Sequence, residues 1–195
     1  MIEWTISVAK HFGFDMRTVL YGIDYLDRFL SSSNEASIEA LKSRHVYQLV
    51  CMTCFYMAVK LHEPKMIDMA YLVELGRKSY TKHEFKKMEE TVLFGLNFRM
   101  MTPTPVCFAS LYLELKGLDD PMLVNHTIRK SVESEIYRLM LDEALITSSY
   151  SEIAVTALVN CAKRESLQRT ISCKALAETE IISVIPEQTA EIVIQ

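Results

Sequence analysis

An all-α fold is predicted by three observations. Only 5 glycines and 5 prolines punctuate 195 residues, β-branched runs are few, and apolar residues recur at helical spacing through most of the chain. Half of the residues are hydrophobic, enough for a sizeable core, and 24% are charged, enough to solvate its outside. The length allows one domain or two small ones.

Ile2, Ile6, Ala9 and Phe12 form the stripe of a first helix, which Gly13 ends. Asp15 is placed to cap a second, running to about Ser31 with Val19, Leu20, Ile23, Leu26 and Leu30 inward. Asp27 follows Leu20 by seven residues and Ile23 by four, so the pattern puts a carboxylate on the inner face, where it needs a partner. The polar stretch from Ser31 to Ser37 reads as a loop. From about Ser43 to His62 the chain is apolar on nearly all sides of a helix, through Val46, Leu49, Val50, Cys54, Met57 and Leu61. Such a helix belongs at the centre of its domain. Pro64 stops it, and a short helix is expected over about Lys65 to Leu75, before Gly76. Thr81 and Glu84 then make a capping box for a fifth helix, which turns Phe85, Met88, Val92, Leu93 and Leu96 inward.

The two prolines of Thr102-Pro-Thr-Pro105 oppose helix continuation and mark the domain boundary, giving units 1–102 and 103–195. Beyond them helical patterns resume over about Val106 to Leu115, Met122 to Leu141 and Tyr150 to Arg164. Residues after Ser172 are weakly patterned, and Pro186 interrupts them. A faint internal repeat sets Lys163 under Lys60, Thr156 under Thr53, Ala157 under Cys54 and Cys161 under Ala58. In both segments small residues recur four apart, which lets neighbours pack closely on a central helix.

Catalytic and metal chemistry find little support. His62-Glu63 lacks the second histidine of a zinc helix, and Cys51-Met-Thr-Cys54 lies inside an apolar helix rather than at a helix start, so both cysteines read as buried and inert. No glycine-rich phosphate loop or nucleophile elbow is present, and neither an enzyme nor a cofactor is expected. A net charge of −4 argues against a nucleic-acid surface, and Lys82, His83, Lys86 and Lys87 read as the wet face of one helix. The longest apolar run, Leu49 to Val59, is too short to cross a bilayer. Without a signal-peptide pattern, and with an odd number of cysteines, the expected setting is a reducing compartment, nucleus and/or cytoplasm. Lys60, at the end of the central helix, either snorkels outward or meets a partner.

The string Asp24-Tyr-Leu-Asp-Arg-Phe-Leu-Ser-Ser32 resembles the YxDRFLS signature of cyclins. Gln48-Leu-Val through Ala58-Val-Lys60 resembles the third helix of the cyclin box. Ser79-Tyr-Thr-Lys82, Met88-Glu89 and Leu96-Asn-Phe98 resemble its fifth helix and exit. The resemblance covers about residues 2 to 105 well and about 106 to 165 loosely. It implies two tandem five-helix cyclin-like folds, the second incomplete, and a non-catalytic subunit that activates a cyclin-dependent serine/threonine kinase in cell-cycle control. The alternative is a cyclin-fold scaffold for transcription-related interactions, which would not need Lys60 and Glu89.

By the same resemblance, Lys60 and Glu89 reach the kinase's C-helix, with Met57, Leu61, Leu93, Phe98 and Met100 on the kinase-facing surface. Trp4 and Gln48 match part of a patch that reads Arg-x-Leu substrate peptides. Three departures bear on this. The arginine that pairs with the Asp27 position in cyclins would lie upstream of Met1, Ser7 stands where an acidic residue is common, and Leu61 replaces a frequent aromatic. The sequence is accordingly expected to be a fragment, lacking part of the first helix and the end of the second fold.

Overall fold

From Leu49 to Val59 every side chain of α4 (Arg44–His62) is buried, which a helix achieves only when neighbours surround it. The structure, a computed structural model, describes residues 1–115, 126–142, 145 and 148–164. The chain divides into two compact units, Met1–Thr102 and Pro103–Gln195, and among the described residues every regular element is helical.

In the first unit α4 packs against α2 (Met16–Ser31), α3 (Glu35–Lys42) and α6 (Lys82–Gly95). Helix α1 (Ile2–Phe12) lies against α2, and α5 (Met69–Leu75) lies against α6. A Cβ added at Gly22 would meet the Cα of Phe55 at 3.2 Å, so α2 and α4 approach backbone to backbone there. The helix ends follow local chemistry. Gly13 takes the left-handed conformation (φ 71°) that closes α1. The Asp15 carboxylate accepts from the Arg17 N–H at 2.8 Å. Thr81 and Glu84 complete the expected capping box.

Three expectations are corrected. The stretch read as a loop to Ser37 gives way at Glu35 to α3, because Asn34 caps it by accepting from the Ser37 N–H at 2.8 Å and because Ala40 packs into the core. Helix α5 begins only at Met69, where Asp68 caps it, rather than near Lys65. The buried carboxylate of α2 is Asp24, and Asp27 is exposed. Because α2 is covered over most of its circumference, buried Leu20 and Ile23 do not mark the face that also holds position 27. The face toward α4 runs instead through Gly22, Leu26 and Phe29.

In the second unit α9 (Tyr150–Arg164) packs against α7 (Pro105–Leu115) and α8 (His126–Leu139). Thr156, Ala157 and Cys161 of α9 are buried like Thr53, Cys54 and Ala58 of α4, their counterparts in the repeat. Buried Glu135 joins α8 to α9 by accepting from Asn160 at 2.8 Å and from Arg138 and Arg164 at 2.7 and 2.8 Å. The pattern over residues 122–125, the weak patterning after Ser172 and the break at Pro186 lie outside the described residues. No helix among the described residues is long and apolar enough to cross a membrane.

Candidate functional site

The end of α4 and the body of α6 bring Lys60 and Glu89 together across 29 residues of sequence. Lys60 Nζ lies 2.5 Å from Glu89 Oε1 and 5.5 Å from the centre of the Tyr56 ring. The Lys60 side chain is 35% exposed and that of Glu89 only 18%, so the pair is set into the surface rather than standing on it. Leu61, next along the chain, is 53% exposed, and Leu93, one turn beyond Glu89, is half-buried. Phe98 is 60% exposed. It takes a positive φ of 57°, donates its N–H to Leu93 O at 3.0 Å, and meets Phe94 edge-on at 5.4 Å. Met57 and Met100 are buried in the core that also holds Tyr25, Phe29 and Val92, with Leu93 packed against it. The seven residues assigned to the kinase-facing surface therefore form two tiers. Lys60, Leu61, Glu89, Leu93 and Phe98 reach solvent, and Met57 and Met100 lie beneath them as support.

The segment that carries Phe98 and Met100 out of α6 is tied to one face of α2. Arg28 donates to Arg99 O at 2.8 Å, Tyr25 to Met100 O at 2.9 Å, and Thr102 Oγ1 to Asp24 Oδ2 at 2.6 Å. Arg28 also pairs with buried Asp24 at 2.7 Å, which partners the carboxylate that burial would otherwise penalise. Sequence reasoning missed this anchor, although Asp24 and Arg28 stand four apart, the helical pairing distance.

His62 and Glu63, the residues that suggested metal chemistry, bind the same helix instead. The His62 ring stacks on Tyr21 with centroids 3.8 Å apart, and its Nε2 lies 3.0 Å from the Tyr25 hydroxyl. Since that hydroxyl donates to Met100 O, His62 Nε2 is the donor between them. Burial lowers the His62 pKa, which favours this neutral form, against a smaller opposing pull from Glu63. Glu63 accepts from the Asp15 N–H at 2.9 Å and from Thr18 Oγ1 at 2.5 Å, and so fastens the end of α4 to the start of α2. Among the described residues no three His, Cys, Asp or Glu side chains are grouped to hold a metal ion.

Trp4 and Gln48 are both half-buried. Trp4 meets Phe55 edge-on at 6.2 Å, and Gln48 lies two turns before Phe55 on the same side of α4. Asp27 is exposed at its outer edge, yet surrounding protein pushes its pKa up to about 6, and the charge of Asp24 adds to the rise. Cys51 and Cys54 are buried thiols. Burial pushes Cys51 up to about 11 and raises Cys54 well above the ordinary thiol value, so neither forms the reactive thiolate.

Residues 1–101 match the family model described as the N-terminal domain of cyclins. The chain is 32% identical over 122 residues to the G2/mitotic-specific cyclin-A of Drosophila melanogaster, covering 63% of this chain and 23% of that one. It is 31% identical over 162 residues to Cyclin-D3-3 of Arabidopsis thaliana, covering 82% and 43%. The chain thus spans less than half the length of either relative. The crystal structure of a viral cyclin from Herpesvirus saimiri superposes with a TM-score of 0.72 over 98% of this chain and 79% of that chain. At 14% identity that likeness is one of fold.

Proposed function

Because the chain belongs to the cyclin family, we propose that it is a regulatory subunit that binds a cyclin-dependent serine/threonine kinase and activates it in control of the cell cycle. The observation that carries this reading is the Lys60–Glu89 pair, partly desolvated and rimmed by Leu61, Leu93 and exposed Phe98. In the free subunit the two charges satisfy each other. An arriving kinase helix exchanges that contact for two, with Lys60 donating to backbone carbonyls and Glu89 accepting from backbone amides. The apolar rim excludes water and strengthens both. A kinase helix held inward keeps the kinase's own lysine–glutamate pair closed, the arrangement its phosphoryl transfer needs.

The support from α2 acts on the same surface. Tyr25, Arg28 and Asp24 fix the backbone from Arg99 to Thr102, so Phe98 is presented without an ordering cost at binding. On this reading Trp4 and Gln48 contribute to a separate patch for Arg-x-Leu substrate peptides, and the subunit works in the nucleus and/or cytoplasm.

The test begins with a pull-down that identifies the co-purifying kinase, followed by activation assays on variants. Lys60→Ala and Glu89→Ala should each weaken kinase affinity by about 1.5–3 kcal/mol, the range for hydrogen bonds to charged groups. The double variant should abolish activation. Its thermal unfolding should change little, because removing both partners together leaves no unpaired charge behind. Full activation by the double variant would overturn the mechanism. A scaffold role predicts instead that no kinase co-purifies.

A further inference from the structure

A groove of about 720 Å3 lies between α3, the start of α4 and the outer side of α6, within the roughly 300–1,000 Å3 of clefts that hold ligands. Half-buried Ala36, Val46 and Met88 line it and rest on the core of the first unit. Its charges are one-sided. Glu35, Glu39 and Glu84 face a single ammonium, Lys87, and the imidazole of His45. Glu84 is turned to its cap at Thr81, whereas neither Glu35 nor Glu39 is paired with a cation among the described residues. Phe94, 62% exposed, adds an aromatic ring to the lining.

The groove is separate from the Lys60 face. At about 100° per residue, Glu84, Met88, Thr91 and Gly95 lie on one side of the buried stripe of α6, and Glu89 and Leu93 lie on the other. The two surfaces adjoin at Phe94, whose ring lines the groove and meets Phe98 edge-on, and diverge along the rest of α6. The occupant favoured by the charges is cationic. Residues 175–195 of this chain carry four glutamates and no lysine or arginine, which makes them a mismatched filler for an acid-rimmed groove. A second copy, at net charge −4, is a poor match for the same reason. We propose that the α3–α6 groove docks a short amphipathic segment of a partner protein, in which apolar side chains fill the groove and flanking lysines or arginines meet Glu35 and Glu39. The apolar lining supplies the affinity, and the carboxylates select the partner and orient it.

The probe for the test is a fluorescein-labelled leucine–lysine peptide of about four helical turns. Its counterpart carries glutamate at every lysine position. Binding to the full chain is read by fluorescence anisotropy. The lysine peptide should bind saturably, more weakly as salt is raised, and the glutamate peptide should not bind. Glu35→Gln with Glu39→Gln, both exposed and neutral in volume, should weaken the lysine peptide about fivefold, as rim charges do. Thr91→Arg, which puts a cation and its stem into the groove, should weaken it more than about tenfold. The paired glutamine variant should still activate the kinase identified by pull-down. The proposal is overturned by equal binding of the glutamate peptide or by a glutamine variant that binds unchanged. It is also overturned by loss of kinase activation in that variant, or by a self-association that Thr91→Arg abolishes.

Discussion

Replacing Asp27 with asparagine should stabilise the protein at neutral pH and leave it unchanged in acid. Protein around the carboxyl raises its pKa from 3.8 to about 6, with Asp24 contributing the second part of the rise. A carboxyl that is harder to ionise in the fold than in the unfolded chain gives the folded state more bound protons between those two values. Stability therefore falls as pH rises through the window, and the full penalty holds above about 6. For a fully buried group the shift would correspond to about 3 kcal/mol. Asp27 has an exposed edge, and screening there reduces the expected penalty to about 1 kcal/mol. Asparagine keeps the shape and removes the charge. Thermal or urea unfolding of the wild type and Asp27→Asn should therefore differ by about 1 kcal/mol at pH 7.5, or several degrees in Tm for a unit of this size. At pH 3 the difference should close, since Asp27 is then protonated in the folded and the unfolded chain alike. An asparagine variant that is no more stable at pH 7.5, or equally more stable at both values, would refute the electrostatic reasoning.

Glu135 should behave in the opposite sense. Burial alone would raise its pKa, but hydrogen bonds from Arg138 and Asn160, with the charges of Arg138 and Arg164, hold it below the ordinary 4.5. Its contribution is present above that value and lost as pH falls through the depressed one, so Glu135→Gln should cost about 2 kcal/mol at pH 7 and flatten the acid limb of an unfolding profile. In native thiol labelling mapped by mass spectrometry, exposed Cys107 should react first among the described cysteines, and Cys51 and Cys54 only on unfolding; rapid native labelling of either would revive a redox role. A Cβ at Gly95 would lie 2.8 Å from the Phe29 ring and from Asn34 Nδ2, so Gly95→Ala should destabilise by about 1–3 kcal/mol, and an unchanged melt would show that α3 and Phe29 yield there.

What the sequence made legible, and what it did not, divides by the range of the interaction. The caps at Asp15 and Thr81, the end of α1 at Gly13 and the enclosure of α4 are set by residues within a few positions of one another, and all are readable from spacing. Helix α3 was equally local, with Asn34, Glu35 and Ser37 in capping positions, but its short length and serine-rich approach resembled a loop. The placement of Asp27 failed for a different reason. Apolar periodicity locates a buried face only when a helix has one, and α2 is covered on several sides, so position 24 is enclosed while position 27 reaches solvent. The ties from Tyr25 to Met100 and from Thr102 to Asp24 span 75 and 78 residues, and no periodicity encodes a contact of that range.

The polar end of α4 shows how these ranges combine. A helix buried from Leu49 to Val59 could stop at any turn residue, yet it ends on Lys60, Leu61, His62 and Glu63 in succession. Successive helical residues point about 100° apart, so Lys60, Leu61 and His62 address three directions, and the extended backbone at Glu63 adds a fourth. Glu63 holds the start of α2, and His62 stacks on Tyr21 and reaches Tyr25, which holds the backbone at Met100. That leaves Lys60 and Leu61 directed outward, on a turn clamped from behind by their own neighbours. A long, flexible lysine is a poor recognition element unless something limits its freedom, and here the Glu89 carboxylate and the Tyr56 ring do so. His62 and Glu63 thus serve the surface they do not touch. If Lys60 binds the proposed kinase, removing Glu63 should loosen the turn and weaken that binding even though no charge on the proposed face has changed.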